Sequence, residues 1–199
     1  MTIARVDHVS IAVPDYARAS DFFEKVLGAV AGYADRDREL QFDWGIFTMG
    51  DLSRLEILSP SGRESFLDGF LKTRPAGGVH HITLQTPDIQ DTMKRLRRSG
   101  IPYFGYNEYE AFYWKEIFIH PKDAFGVLFQ IAELNSNDWL AASVKLSQNH
   151  RWLLRAGRRN GCLSLAHPGG GTVDVSLSAA EMRRLAADLI RTADKLEAS

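Results

Sequence analysis

The sequence predicts an α+β protein: two tandem strand–helix–three-strand (βαβββ) modules, followed by a small C-terminal extension of a β-hairpin and a helix. Three observations lead there. Val6-Asp7-His8-Val9-Ser10-Ile11-Ala12-Val13-Pro14-Asp15 aligns without a gap to Val79-His80-His81-Ile82-Thr83-Leu84-Gln85-Thr86-Pro87-Asp88, an offset of 73 residues from His8 to His81. The hydropathy pattern after each copy then runs through the same order of elements. A polar run, Asn135-Ser136-Asn137-Asp138, ends that pattern and marks a boundary. One unit used twice creates a pseudo-symmetric cleft between its copies.

In the first module (1–60), residues 4–13 alternate as a strand, with Val9, Ile11 and Val13 on one face and His8, Ser10 and Ala12 on the other. Pro14-Asp15 ends it. Residues 16–27 carry apolar side chains at helical spacing (Phe22, Phe23, Val26, Leu27) and stop at Gly28. A short strand near 30–34 precedes strands at 39–49 and 53–59 around a Gly50-Asp51 turn. Residues 61–78 read as a short helix (Phe66, Phe70, Leu71) and a Pro75-Ala76-Gly77-Gly78 linker.

The second module (79–134) repeats the order, with a strand at 79–86, a helix at 88–98 closed by Gly100, and strands at 102–106, 112–120 and 125–133. In the extension (135–199), strands at 162–167 and 172–177 form a hairpin across Pro168-Gly169-Gly170-Gly171. The final helix opens on Ser178-Ala179-Ala180-Glu181, which has capping-box form. Its Met182, Leu185, Leu189, Ala193 and Leu196 share a face, expected to pack against the chain or a dimer partner. No chemistry is expected of this tail.

Bulk properties narrow the function classes. With 24 basic and 25 acidic residues the net charge is −1, so no broad field draws the chain to nucleic acid or an anionic membrane. The single cysteine, Cys162, excludes an internal disulfide and a thiolate zinc cluster. No apolar run reaches membrane-spanning length, and patterned sequence begins at once, so a cytoplasmic location is expected.

Each module should end on a strand that returns beside its first one. Arg54-Leu55-Glu56-Ile57-Leu58 and Val127-Leu128-Phe129-Gln130-Ile131 fill those places, with Glu56 and Gln130 polar among large apolar neighbours. Four inward groups result: His8, Glu56, His81 and Gln130. Burying such groups unpaired costs roughly 1–3 kcal/mol each. Two imidazoles, a carboxylate and an amide oxygen suit one divalent first-row ion: cobalt, nickel, zinc, manganese or iron. His80 competes with His81, but the gapless register pairs His8 with His81.

The repeat, its Asp7-His8-Val9 and His80-His81-Ile82 openings and this ligand set resemble the vicinal oxygen chelate superfamily, which includes glyoxalase I, extradiol dioxygenases, bleomycin-resistance proteins and epimerases. The resemblance covers about residues 4–134. Residues 75–82, Ile119-His120-Pro121-Lys122-Asp123 and the short helix over 66–72 are most similar to methylmalonyl-CoA epimerases. The resemblance implies modules curled into an open, barrel-like sheet around the ion. It also implies a small-molecule substrate with adjacent oxygens, such as an acyl-CoA thioester, chelated so that an enolate is stabilised when a proton leaves the neighbouring carbon. A homodimer is expected, with modules paired within one chain or exchanged between two.

The chain departs from that pattern at the fourth ligand. Glyoxalase I, the epimerases and the extradiol dioxygenases resemble one another in a glutamate there, whereas this chain has Gln130, which ligates but cannot act as a base. Glu56 is then the catalytic carboxylate at the metal. The epimerases also carry a base glutamate on the third strand of their first module. Gly45 falls near that point, with Glu39 and Asp43 on its strand face, which makes Asp43 the second catalytic candidate. An aromatic run, Tyr103, Phe104, Tyr106, Tyr109, Phe112, Tyr113 and Trp114, suggests a pocket mouth in which Tyr106, Tyr113 and Trp114 meet substrate. Lys115 and Lys122 are available to a substrate anion, and His120 shapes a turn. The leading expectation is an acyl-CoA epimerase or isomerase. The alternatives are a glyoxalase-like lyase, an extradiol-type dioxygenase and a small-molecule-binding protein of the bleomycin-resistance kind.

Overall fold

The computed structural model describes residues 3–50, 53–110, 113–147, 150–167 and 170–197. Asp51 of the expected hairpin turn, Phe112 of the aromatic run, and Pro168 and Gly169 of the tail turn lie outside them. Strand β1 (Arg5–Ala12) leads to Asp15, whose carboxylate accepts the Arg18 amide at 3.0 Å and caps α1 (Tyr16–Asp21). The predicted 16–27 helix does not stay α-helical: Phe22–Val26 widens into a π-helical turn. Gly28, at φ +71°, then turns the chain into β2 (Val30–Asp37), a backbone angle that only glycine adopts freely. β3 (Phe42–Thr48) and β4 (Arg54–Pro60) complete the module.

After the short linker helix α2 (Asp68–Thr73), the second module follows the same plan. It runs through β5 (Gly78–Gln85), α3 (Ile89–Arg98), β6 (Phe104–Tyr109), β7 (Trp114–Ile119) and β8 (Phe129–Leu134). Asp88, the repeat partner of Asp15, caps α3 in the same way, accepting the Asp91 amide at 2.8 Å.

All eight strands join one mixed sheet of order β2-β3-β4-β1-β5-β8-β7-β6. Within each module the first and last strands run parallel, and β1 meets β5 antiparallel at the seam. The order reads the same from either end, as a pseudo-twofold axis through the seam requires. The sheet curls into a half-barrel. Strand alternation sends Phe47 and Ile57 to the convex face under Phe23 and Ala29, and Ile117 and Ile131 to that face under Ile89 of α3. Ile57, Ile89 and Ile117 are fully buried, each worth about 1.5–3 kcal/mol. The concave face is left for the site.

The extension folds as a separate three-stranded sheet, β9 (Trp152–Ala156), β10 (Gly161–Ala166) and β11 (Thr172–Leu177), then α4 (Ala179–Glu197). The capping box forms: the Ser178 amide donates to Glu181 at 2.8 Å and the Glu181 amide to Ser178 Oγ at 3.3 Å. Strand β9 was not expected, because a short apolar run without alternation carries no strand period. Met182 and Leu185 at the start of α4 are half-buried, with Met182 against Gly161 of β10, whereas Leu189 further along the same face is 62% exposed. Among the described residues no helix is long and apolar enough to cross a membrane.

Candidate metal centre and substrate cavity

The donor cluster follows from register. On the concave face β1 presents His8 and Ser10, and β5 presents His81 and Thr83. Across the seam His8 stands opposite Thr83 and Ser10 opposite His81. Within the modules Ser10 stands opposite Glu56 and Thr83 opposite Gln130. Two hydroxyls therefore brace four donors. Ser10 Oγ donates to Glu56 Oε2 at 2.5 Å and is hydrogen-bonded to His81 Nε2 at 2.8 Å. Thr83 Oγ1 lies 2.5 Å from Gln130 Oε1 and 2.8 Å from His8 Nε2, its one proton available to either acceptor. Each hydroxyl ties its own module's oxygen donor to the other module's imidazole.

Glu56 Oε2 lies 3.6 Å from His8 Nε2 and 3.7 Å from His81 Nε2, and the three residues offer ligand atoms within 4.8 Å of one another. The two carboxylate–imidazole separations are ones that atoms about 2.1 Å from a common ion can span. The far nitrogens are also held. His8 Nδ1 donates to Asp7 Oδ2 at 2.8 Å, which leaves Nε2 as the ligating atom, and His81 Nδ1 meets His80 Nδ1 at 2.9 Å. Burial pushes the His81 pKa down to about 3, keeping it in the neutral form that ligates metals. Burial works against ionised Glu56, but the His8 and His81 rings and the Ser10 hydroxyl outweigh it and hold its carboxyl below the usual range. The donor set thus fits a divalent first-row ion.

The cluster floors a cavity of about 590 Å³ walled mainly by aromatic rings, among them Phe42, Trp44, Tyr109, Trp114, Phe118 and Trp139. Glu116 of β7 also faces it, 7% exposed. Its carboxylate accepts Gln130 Nε2 at 2.6 Å, Trp114 Nε1 at 2.7 Å and Asn107 Nδ2 at 3.1 Å. Burial raises its pKa despite those three donors.

The other expected site residues are placed by alternation. Trp114 enters the cavity. Tyr106 and Tyr113 do not line it: their hydroxyls donate outward to Glu108 at 2.8 Å and Glu133 at 3.2 Å. Asp43 is also turned away. Phe42, Trp44 and Ile46 of β3 line the cavity, whereas Asp43 forms a two-pronged ion pair with Arg36 and Gly45 lies under the Tyr16 ring of α1. A residue on Gly45's strand face cannot reach the donors. Lys115 pairs with Glu108 at 3.3 Å, and His120 Nδ1 accepts the Lys122 amide at 3.1 Å and shapes that turn as expected.

Residues 7–116 match the family model described as Glyoxalase/Bleomycin resistance protein/Dioxygenase superfamily, more than half of the chain. The chain belongs to this superfamily. Among curated proteins it is 36% identical over 134 residues to ethylmalonyl-CoA/methylmalonyl-CoA epimerase of Cereibacter sphaeroides, spanning 66% of this chain and 99% of that one. It is 33% identical over 132 residues to the mitochondrial methylmalonyl-CoA epimerase of Homo sapiens, spanning 66% and 74%. The crystal structure of methylmalonyl-CoA epimerase from Mycobacterium tuberculosis superposes with a TM-score of 0.61 at 25% identity, over 67% of this chain and 90% of that one.

Three features of this superfamily member escape the sequence reading. Ser10 and Thr83 are matched in the repeat, yet matched hydroxyls alone do not indicate a bridging role. Glu116 stands two residues from Trp114 and Phe118, so strand parity alone would have placed it inside. Trp139 belongs to the extension, where no chemistry was expected, and no local pattern shows that this segment turns back over the sheet.

Proposed function

We propose that the protein is an acyl-CoA epimerase that inverts an acidic carbon next to a thioester carbonyl, using one divalent ion held by His8, Glu56, His81 and Gln130. The observation that carries this is a buried His–Glu–His cluster on the floor of an aromatic cavity, in a chain 36% identical over 134 residues to an ethylmalonyl-CoA/methylmalonyl-CoA epimerase. When bound, the ion supplies Lewis-acid stabilisation of the oxyanion that develops as the proton leaves. Inversion needs a proton taken on one face of the carbon and returned on the other. Glu56 on β4 and Glu116 on β7 are carboxylates from opposite modules facing one cavity, which suits that exchange. Glu116 thereby offers the carboxylate that Gln130 lacks, and its bond to the Gln130 amide nitrogen turns the amide oxygen toward Thr83 and His8. The aromatic walls lower the polarity around the donors, which strengthens electrostatic interactions there. A cytoplasmic homodimer belongs to the same reading.

The test is α-proton exchange. Racemic methylmalonyl-CoA and ethylmalonyl-CoA are incubated in D2O with protein loaded with cobalt, nickel, zinc, manganese or iron, and with protein stripped by chelator. Metal-dependent deuterium incorporation is expected. Its absence with every ion, in protein shown to hold about one equivalent, would refute the proposal.

A further inference from the structure

We propose that the opening segment of the C-terminal extension, residues 135–140, is the end wall of the substrate cavity, and that Trp139 sets the size of the acyl substituent admitted. The choice of substrates for its test rests on the acyl-CoA reading; the wall itself does not. Trp139 is 6% exposed and lines the cavity. Its ring lies 5.6 Å from that of Trp44 on β3 and 5.2 Å from that of Trp114 on β7. Those strands stand near opposite ends of the eight-stranded sheet, so the indole bridges the open side of the half-barrel. The Trp114 ring is in turn 6.4 Å from the His8 ring. The wall thus stands one ring away from the donor cluster, beside the reacting end of the cavity.

The segment rests on a formed seat. A register shift in β2 between Ala31 and Ala34 takes Gly32 and Tyr33 out of the ladder with β3, and the Tyr33 amide donates to the Trp139 carbonyl at 3.2 Å. A Cβ on Gly32 would lie 2.4 Å from that carbonyl oxygen, so only glycine allows the approach. The Ser136 carbonyl accepts Arg54 Nη1 at 3.1 Å and its hydroxyl accepts Gln85 Nε2 at 2.9 Å, one bond from each module. Asn137 is clamped by the rest of the extension, its side-chain oxygen accepting the Gly171 amide at 3.0 Å and its carbonyl Lys145 Nζ at 2.9 Å. The matched superfamily region ends at residue 116, before this wall. An aromatic wall so placed favours a small group on the α-carbon and clashes with a longer one.

The experiment compares wild type with Trp139→Ala in the full chain, on CoA thioesters bearing a methyl, ethyl or propyl group at the α-carbon. The kcat/KM ratio of ethyl to methyl substrate is expected to rise at least about tenfold, since one methylene in an apolar pocket is worth about 10–200-fold. Indole, the removed ring, should raise the Tm of the variant but not of wild type, and return the ratio toward wild type. A folded variant whose ratio is unchanged overturns the proposal. If Trp139→Ala does not fold, Trp139→Phe is expected to move the ratio less in the same direction, and no movement again overturns it. If wild type exchanges the α-proton of none of these thioesters, the acyl-CoA reading falls. The wall is then judged by indole alone: stabilisation of the variant supports it, and none overturns it.

Discussion

Replacing Asp7 tests how the donor cluster is held from behind. Asp7 is 3% exposed and serves three partners: Oδ2 accepts His8 Nδ1 at 2.8 Å, and Oδ1 accepts Arg5 Nη2 at 2.6 Å together with Arg54 Nη2. The two arginines are not equivalent. The Arg5 side chain is 20% exposed and can turn to water, so losing its pair costs under about 1 kcal/mol. The Arg54 side chain is 1% exposed, and burial with the nearby Arg5 charge already lowers its pKa to about 9. Without Asp7 it is a buried cation left with a carbonyl, a change that costs about 3–5 kcal/mol. At about 2–4 °C per kcal/mol for a chain of this size, Asp7→Ala should lower Tm by about 6–20 °C. Urea unfolding and calorimetry in chelator measure this without any contribution from the ion. His8 also loses the acceptor that orients it, so metal affinity in a competition titration should fall about 10–100-fold. Asp7→Asn keeps an acceptor for His8 but no charge for Arg54, and should match the stability loss with a smaller loss of affinity. A stability change below about 1 kcal/mol, or a full loss with unchanged metal affinity, would refute the reasoning.

The remaining expectations concern the carboxylates and the seat of Trp139. Glu116→Gln should slow deuterium exchange about 10²–10⁴-fold while elemental analysis shows undiminished metal. Asp43→Asn, whose carboxylate does not line the cavity and is paired with Arg36 at its edge, should leave exchange unaltered in the same assay. Glu56→Gln should lose exchange and metal affinity together, which separates a ligand from a residue that acts only on the proton. Gly32→Ala should destabilise by about 1–3 kcal/mol in urea, because its methyl meets a main-chain oxygen that can move only with the whole segment.

Much of the fold was legible because it is written twice. The repeat register paired His8 with His81 and Asp15 with Asp88, and alternation then assigned Glu56 and Gln130 to the inner face. What failed was parity on neighbouring strands. Asp43 shares a face with Gly45, and that face looks toward Tyr16 rather than the donors. Tyr106 was misplaced because β6 carries a register shift between Phe104 and Asn107, which breaks simple alternation. Trp139 was invisible for another reason: its place depends on contacts with β2, β3 and β7, which no local pattern encodes.

The hydroxyl braces of Ser10 and Thr83 carry a consequence for how the two halves of the chain depend on one another. A lone module offers one imidazole and one oxygen donor, and its one bracing hydroxyl points at a ring it does not own. On the proposed metal site, strong chelation would exist only once β1 and β5 are zipped together, with the seam acting as an intramolecular linker that sets the effective concentration of one half-site around the other. The dependence is reciprocal. An ion present at a thousand times its Kd adds about 4 kcal/mol to the free energy of unfolding. Slippage along β1–β5 would forfeit that gain first, so in the proposed holoprotein metal occupancy would gauge whether the two modules are still in register.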